Sequence, residues 1–395
     1  MEAQEAKKLI EENLSYEDVK QLLVKLVQTP SPQTELLEEE PKVLTLIRDV
    51  IKPDLESTGL HPVIDDKGNL IASIRGKGKG KRLLLLGYGM NAAPSTMQNP
   101  YSGVIVDGAP YGVKGECVWG RGACEQKGSL AAMMAAMKLI AKADVDLPAD
   151  LVFVASTAGE SGRHDSLTYV LEHAKVKADW GIVDGPPEIQ LANKGRIDIL
   201  MTIRGKQTHS SRPWEGINAV EGAVKALERI QHLIPYPSER SHPHLGRVSL
   251  TATSIESLPK ATHTIPSECR VLLDRRLLPG DDPTQAVREL ELAVGKTDPY
   301  SVELTGKEFM YPSEVSKEAD LAKSLSAAIQ LMLGRKAEFS YGTAANDTGF
   351  LNFKGIEAIN YGARIIRFQH TDHDLVTVQR VFEAAKVFAI MGLSR

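Results

Sequence analysis

Short runs of apolar residues alternate with helical segments in the first half of this chain. "LLLLG" at 83–87, "ADLVFVAST" at 149–157 and "DWGIVDG" at 179–185 are each long enough for one buried strand, and the Ala- and Met-rich helix "SLAAMMAAMKLIAKA" lies between the first two. Strands that alternate with helices form parallel sheets covered on both faces. The alternation predicts an α/β fold with a mixed, mostly parallel sheet.

The pattern changes near residue 190. "IDILMTIRG" alternates apolar and polar residues, as a half-buried strand does, and "SECRVLLDRRLLPG" follows after a helical segment. This β-α-β-β-α-like order predicts an inserted α+β domain over 193–303, with the α/β domain at 1–192 and 304–395. The length of 395 residues is enough for two domains at roughly 150 residues each.

Turn-forming residues predict local strand pairing before residue 88. "DDKGN" and "GKGKGK" punctuate the segment from His61 to Gly87, and such Gly-rich clusters are typical of turns. We therefore expect consecutive strands in this segment to pair as a hairpin.

Composition excludes several classes of partner. The net charge of −4 and the pI of about 6.2 give no basic surface for nucleic acid. Three cysteines are too few for a disulfide framework, the N-terminus has no apolar signal-peptide core, and the most apolar helix is too short to cross a membrane. We expect a cytoplasmic protein without a nucleic-acid or membrane partner.

Four loops after predicted strands carry ionisable side chains. They contain Glu125; Glu160 and His164; Asp184; and His370, Asp372, His373 and Asp374. Loops at the carboxyl ends of parallel strands meet at one edge of a sheet, and carboxylates with imidazole suit zinc, manganese or cobalt. Individually, these residues are also typical of helix caps, turns or an anionic first turn of the last helix. The glycines near Glu125 match no nucleotide-binding pattern.

Taken in order, the motifs resemble one family over residues 15–393. The motifs are "VWGRGACEQKGSLAAMMAA", "FVASTAGESG", "ADWGIVDG", "IRGKQTHSSRPWEGINAVEGA", "IPSECRVLLDRRLLPG", "GTAANDTGFL" and "FQHTDHDLVTV". They resemble the M20 metallopeptidases and deacylases, which include acetylornithine deacetylases, succinyl-diaminopimelate desuccinylases, aminoacylases and glutamate carboxypeptidase-like enzymes. The resemblance implies a catalytic domain with a lid or dimerisation domain, a homodimer and a two-metal amide hydrolase.

The chain departs from the family at its metal and base positions. The first metal loop of the family carries His-x-Asp, where this chain has Tyr88 and Met90. The bridging Asp is Glu125 here, and the general base and ligand of the Glu-Glu pair are Gly159 and Glu160. The resemblance assigns the remaining two ligands to Asp184 and His370.

These departures leave the metal content open. Without a ligand His, the family's second-shell Asp has no imidazole to orient, so its replacement by Met90 costs nothing. The roles open to Tyr88 are to fill the vacated volume, to donate its hydroxyl proton to a carboxylate, to bind the metal, or to take part in catalysis. Either one zinc or manganese ion binds Glu125, Glu160 and His370, with Asp184 at the second position, or the pocket is metal-free. A metal-free pocket would need a cation such as Lys127 or Arg121 to offset the carboxylates.

The missing base and the substrate contacts complete the predicted site. Glu160, His164, His373 and Asp374 are the candidates to replace the base at Gly159. By resemblance, His209 polarises the scissile carbonyl across a dimer interface. Arg275, Asn346 and Asp347 match residues around a substrate carboxylate, for which Arg is well suited.

The predicted function is hydrolysis of an amide C–N bond in a small N-acyl amino acid or peptide-like substrate that carries a carboxylate. The alternative is a non-hydrolytic, metal-free binding or regulatory protein that uses the same cleft.

Overall fold

The computed structural model describes residues 1–159, 163–231 and 241–394. These residues form two compact units. The first contains Met1–Leu191, Val315–Ser340 and Phe350–Arg395, and the second contains Ala192–Glu314 and Tyr341–Gly349.

The α-helices occur in both units. They are α1 (Ala3–Asn13), α2 (Tyr16–Gln28), α3 (Pro41–Thr45), α4 (Lys52–Glu56), α5 (Gly128–Ala143), α6 (Asp165–Glu172), α7 (Ala219–Gln231), α8 (Pro283–Val294), α9 (Asp320–Leu333), α10 (Thr348–Phe353) and α11 (Val378–Leu393). Two π-helical turns, Leu46–Ile51 and Ala123–Lys127, precede α4 and α5.

The strands range from two to ten residues in length. They are β1 (Val63–Ile64), β2 (Leu70–Ile74), β3 (Leu83–Tyr88), β4 (Val104–Asp107), β5 (Glu116–Trp119), β6 (Leu151–Ser156), β7 (Trp180–Val183), β8 (Ile189–Asn193), β9 (Gly195–Arg204), β10 (Thr208–His209), β11 (Ser241–His242), β12 (Gly246–Arg247), β13 (Leu250–Leu258), β14 (Thr264–Ile265), β15 (Glu268–Leu277), β16 (Ser301–Met310), β17 (Ser313–Glu314), β18 (Phe339–Gly342), β19 (Glu357–Asn360) and β20 (Leu375–Thr377).

The main sheet of the first unit is mixed, with a parallel centre. Its strands run in the order β1-β2-β6-β3-β7-β19-β8. The β6-β3, β3-β7 and β7-β19 pairs are parallel, and β1-β2, β2-β6 and β19-β8 are antiparallel. Every residue of β3, β6 and β7 is buried, because α5 packs against β3 and β6 while α9 packs against β19. The predicted α/β class with a mostly parallel mixed sheet is confirmed.

The predicted hairpin is correct for its first turn and wrong for its second. β1 and β2 pair antiparallel around "DDKGN", with Val63 opposite Ile71. The "GKGKGK" segment does not join paired strands, because β6 lies between β2 and β3. Apart from Gly87, β3 consists of leucines and one tyrosine. A strand without a polar face is stabilised between two buried neighbouring strands rather than at the edge of a hairpin.

Glu125 follows a strand outside the main sheet. β5 pairs antiparallel with β4 and β20 in a separate three-stranded sheet. The expectation that all four loops follow neighbouring parallel strands is therefore wrong for Glu125. This side chain is placed instead by the π-helical turn that leads into α5.

The second unit is an α+β sandwich. Its antiparallel sheet has the order β13-β15-β9-β16, and α7 and α8 cover one face. The core between them contains Ile199, Met201, Val271 and Leu273. The unit extends past the predicted insert of 193–303 because β16 pairs along β9 from Ser301 to Met310. It also includes Tyr341–Gly349, which the sequence analysis assigned to the other domain.

Candidate active site

The parallel strands bring several predicted site residues to one edge of the main sheet. Tyr88 is the last residue of β3, and Asp184 comes directly after β7. The chain from β19 continues through Arg364 to His370. The strand ends that carry these residues lie at one edge of the sheet because β3, β7 and β19 are neighbouring parallel strands.

Glu125 and His370 form a close pair across this edge. The Nε2 atom of His370 lies 2.9 Å from Oε1 of Glu125. His370 has a φ of 56°, the left-handed region that non-glycine residues rarely adopt and that often occurs at functional sites. Burial raises the pKa of Glu125, but His370, Arg364 and Arg121 more than offset that effect, so its pKa lies below the usual value.

Arg364 neutralises Asp184. Its guanidinium NH2 lies 2.5 Å from Oδ2 of Asp184, and its Nε donates a hydrogen bond to the backbone oxygen of Glu125 at 3.2 Å. Asp184 is almost fully buried. Burial raises the pKa of Asp184 to about 6, although Arg364 acts in the opposite direction.

No sequence motif predicts Arg364 as the cation that neutralises the carboxylates. The cations expected from the sequence are Lys127 and Arg121. Lys127 instead donates from Nζ to the backbone oxygen of Thr29 at 2.7 Å. Arg121 lies 3.5 Å from Asp374, although it also lowers the pKa of Glu125. Arg364 could have been suspected from its position a few residues after a strand that ends at the site.

Tyr88 and Met90 occupy the space next to Gly159. Tyr88 is 4% exposed and Met90 is fully buried. A Cβ atom added at Gly159 would lie 2.5 Å from Cδ1 of Tyr88 and 2.8 Å from Cε of Met90. Such distances are far below van der Waals contact. The three departures from the family pattern are therefore sterically linked, because the larger side chains leave no room for a carboxylate at position 159.

The candidate replacement bases have different surroundings. Glu160 lies outside the described residues. The ring of His164 is buried and stacks on Phe350 with centroids 4.9 Å apart. His373 is exposed, and its ring packs at 5.6 Å from Tyr111 and 5.7 Å from Trp119.

Asp374 holds the loop that leads to Glu125. Its carboxylate accepts hydrogen bonds from the backbone N–H groups of Gly122 at 2.6 Å and Cys124 at 2.9 Å. It is fully buried. Asp374 is therefore a structural residue that orients Glu125, and it is not available to take a proton from water.

The site offers ligands for one cation more readily than for two. Oε2 of Glu125 is buried and has no hydrogen-bond partner among the described residues, which suits a cation between Glu125 and His370. The second position suits a cation less well, because Arg364 already pairs with Asp184 and Tyr88 stands where the family has its ligand His. Within the described ranges, no group of three or more His, Cys, Asp or Glu side chains could hold a metal ion.

His209 lies in the second unit on β10. The Nδ1 atom accepts a hydrogen bond from the backbone N–H of Ser211 at 3.2 Å and contacts Oγ of that residue at 2.8 Å. In the neutral ring, an accepting Nδ1 leaves the proton on Nε2. The exposed His209 ring can therefore donate a hydrogen bond from Nε2.

Arg275 and Arg276 point to opposite faces of β15. Arg275 is on the buried face, with a guanidinium nitrogen 3.3 Å from Glu289 on α8. Arg276 lies on the other face, where it lines a cavity of about 330 Å³ with Lys194, Ser249 and Thr343. Burial and the nearby Arg276 lower the pKa of Lys194. Sequence reasoning missed Arg276, although the alternation of a strand was a usable signal.

The loop with Asn346 and Asp347 belongs to the second unit. Oδ1 of Asn346 accepts hydrogen bonds from the N–H and hydroxyl of Thr348 at 3.0 and 2.5 Å, and Asp347 is buried. These contacts fix the turn before α10.

Comparisons with known proteins agree with this architecture. Residues 191–301 match the M20 peptidase dimerisation domain. The chain is 24% identical to the protein YgeY of Escherichia coli K12 over 373 residues, covering 87% of this chain and 88% of that protein. It is 26% identical to acetylornithine deacetylase of Myxococcus xanthus over 359 residues, covering 86% and 90%.

Solved structures share the fold. An M20 family metallo-carboxypeptidase from Sulfolobus solfataricus superposes with a TM-score of 0.75 at 18% identity, covering 93% of this chain and 97% of that one. Human carnosine dipeptidase 1 gives a TM-score of 0.71 at 16% identity, covering 99% of both chains.

The fold and the comparisons define an α/β protein with a peptidase-type dimerisation domain. The dimerisation-domain match and the similarity to acetylornithine deacetylase confirm the resemblance to the M20 peptidase family noted in the motifs, and the solved M20 structures share its fold. None of the helices in the described ranges is long and apolar enough to cross a membrane.

Proposed function

We propose that this protein hydrolyses an amide bond in a small N-acyl amino acid or peptide-like substrate that carries a carboxylate. The observation that carries the proposal is the Glu125–His370 pair at 2.9 Å, with Oε2 of Glu125 buried and unpartnered among the described residues. This pair keeps one half of the family's metal centre. The deacetylase similarity supports the reaction class.

The proposed centre holds one zinc or manganese ion. Glu125 and His370 are the proposed ligands, together with Glu160, which the motif order assigns. When bound, the ion would supply Lewis acidity toward the amide carbonyl. Arg364 provides the positive charge that a second ion gives Asp184 in a two-metal site. With Glu160 as a ligand, the proposed base is His164 or His373, because Asp374 is engaged by backbone donors.

The chain's own residues bind and orient the substrate in this proposal. His209 donates from Nε2 to the carbonyl oxygen as negative charge develops there. Arg275, Asn346 and Asp347 are the proposed contacts of the substrate carboxylate, for which a guanidinium is well suited. Arg275 pairs with Glu289 at 3.3 Å, and Arg276 pairs with Asp274 at 2.9 Å, so ion pairing gives no reason to prefer Arg276 over the predicted Arg275.

The same proposal includes a cytoplasmic homodimer. The match to a dimerisation domain supports the dimer. The three cysteines Cys117, Cys124 and Cys269 are buried and free, which suits a reducing compartment.

Metal analysis and hydrolysis assays test the proposal together. We expect the protein purified without chelator to retain about one zinc or manganese ion per chain and to hydrolyse N-acetyl amino acids or dipeptides. His370→Gln should lose the ion and at least 100-fold in kcat/KM, whereas His61→Gln, which changes an exposed histidine, should retain both. Unchanged metal content in His370→Gln would contradict the assignment.

A second candidate is a metal-free protein that binds substrate without cleaving it. The Arg364–Asp184 pair and the filled space beside Gly159 favour this alternative. It predicts no bound transition metal, no hydrolysis with added zinc or manganese, and saturable binding of an N-acyl amino acid.

A further inference from the structure

A cavity in the first unit lies against the outer side of Arg364. Its volume is about 340 Å³, within the ~300–1,000 Å³ typical of small-ligand sites. Its lining includes Arg364, Arg367, Arg380, Glu188 and Ile366. Three guanidinium groups against one carboxylate give the lining a net positive charge.

The arginines of this cavity are held by different parts of the fold. The NH2 group of Arg367 donates to the backbone oxygens of Tyr111 and Gly112, both at 2.9 Å. Neutral carbonyl partners fix the side chain but leave its positive charge uncompensated. Arg380 lies in the first turn of α11, where the helix dipole adds to the attraction for an anion.

We propose that this cavity is a binding site for a small oxyanion, a carboxylate or a phosphate, bound by Arg367 and Arg380 and reached by Arg364. The planar guanidinium donors match the oxygens of both groups, often in bidentate pairs. Glu188 opposes binding and limits the affinity. This site is separate from the cavity of Arg276 and Lys194 in the second unit.

Arg364 links the cavity to the candidate active site. Arg364 lines the cavity, and its guanidinium NH2 lies 2.5 Å from Oδ2 of Asp184. A bound anion and Asp184 therefore compete for one positive charge. Because linkage is reciprocal, any change that weakens the Arg364–Asp184 pair strengthens anion binding. The inference does not depend on catalysis by the protein.

Isothermal titration of the full chain with inorganic phosphate, and separately with malonate, tests the site. We expect saturable binding of at least one of these anions, and the stronger of the two identifies the preferred source of the oxyanion. Arg380→Gln should weaken anion binding at least fivefold. Arg48→Gln, which changes an exposed arginine paired with Asp49, should leave it unchanged.

Two further variants should tighten binding, which a folding defect would not do. Glu188→Gln removes the opposing charge and should raise the affinity about threefold. Asp184→Asn releases Arg364 and should raise the affinity for the anion by a similar factor. Absence of saturable binding for both anions, equal loss in Arg48→Gln and Arg380→Gln, or no gain in both Glu188→Gln and Asp184→Asn would overturn the proposal.

Discussion

At the scale of single residues, three departures of the site from the family pattern lie in contact with one another. Tyr88, Met90 and Gly159 each differ from the family pattern, and the side chains of the first two fill the volume into which the third would project. Restoring a side chain at Gly159 alone therefore creates a clash with Tyr88 and Met90. A return to the family pattern requires a change on both sides of the contact.

We predict that Gly159→Ala destabilises the protein by about 1–3 kcal/mol, the usual cost of overpacking a buried site. The added methyl group would meet the ring of Tyr88 at 2.5 Å. Urea unfolding measures the free-energy change. The penalty should largely disappear in a Tyr88→Ala background, because residues in contact are not additive. Equal penalties in the two backgrounds would disprove the steric link.

Lys127 makes the stability of the fold depend on pH. It is fully buried, and burial lowers its pKa to about 7, although Asp374 acts in the opposite direction. In the unfolded chain, this lysine has its ordinary pKa of ~10.4. Between pH 7 and pH 10, roughly, the unfolded chain therefore binds more protons than the folded chain. The free energy of unfolding should therefore rise with pH from about 7 to about 10, by up to ~1.4 kcal/mol per pH unit.

The Lys127→Met variant isolates this effect. It retains the aliphatic volume and removes the titrating group, at a cost of ~1 kcal/mol for the lost hydrogen bond to Thr29. We expect the difference in unfolding free energy between parent and variant to change steadily across this pH range. Two parallel curves would show that Lys127 is not responsible.

At the scale of secondary-structure elements, Asp374 connects β20 to the π-helical turn of Glu125. It receives two backbone hydrogen bonds from that turn, and its own backbone oxygen accepts from Gly120 at 2.9 Å. Arg121, also fully buried, lies 3.5 Å from its carboxylate. This connection holds Glu125 in place although β5 and β20 are outside the main sheet.

We predict that Asp374→Asn lowers the free energy of unfolding by about 3 kcal/mol, because it leaves the charge of Arg121 buried without a counter-ion. Thermal or urea unfolding gives the value. The matched control is Asp372→Asn, since Asp372 is exposed and bonds only to Thr96 among the described contacts. Its cost should stay within ~0.5 kcal/mol. Similar losses in both variants would contradict the role of Asp374.

At the scale of the whole molecule, β13 is an exposed edge strand of the second unit, which matches the M20 peptidase dimerisation domain. It lies at the end of the β13-β15-β9-β16 sheet, and Ile255 on it is 57% exposed. Edge strands present unpaired backbone groups to other chains. This edge is our candidate for the surface that joins two copies.

We predict that Ile255→Lys shifts the protein from dimer to monomer, because it buries a charge at the proposed interface. Size-exclusion chromatography with light scattering measures the mass. Ile105→Lys is the control, because Ile105 is an exposed isoleucine on β4 of the first unit. Dissociation in both variants, or in neither, would exclude β13 as the interface.

The sequence by itself determined the α/β class, the inserted α+β segment, and the loops of Asp184 and His370, because these depend on patterns among neighbouring residues. Alternation along β15 also encoded that Arg275 and Arg276 face opposite sides. Only the tertiary structure decided that β6 separates β2 from β3, that Arg364 pairs with Asp184, and that Tyr88 and Met90 exclude a side chain at Gly159. Each of these depends on distances between residues far apart in the chain, which local hydrophobicity and turn propensity do not specify.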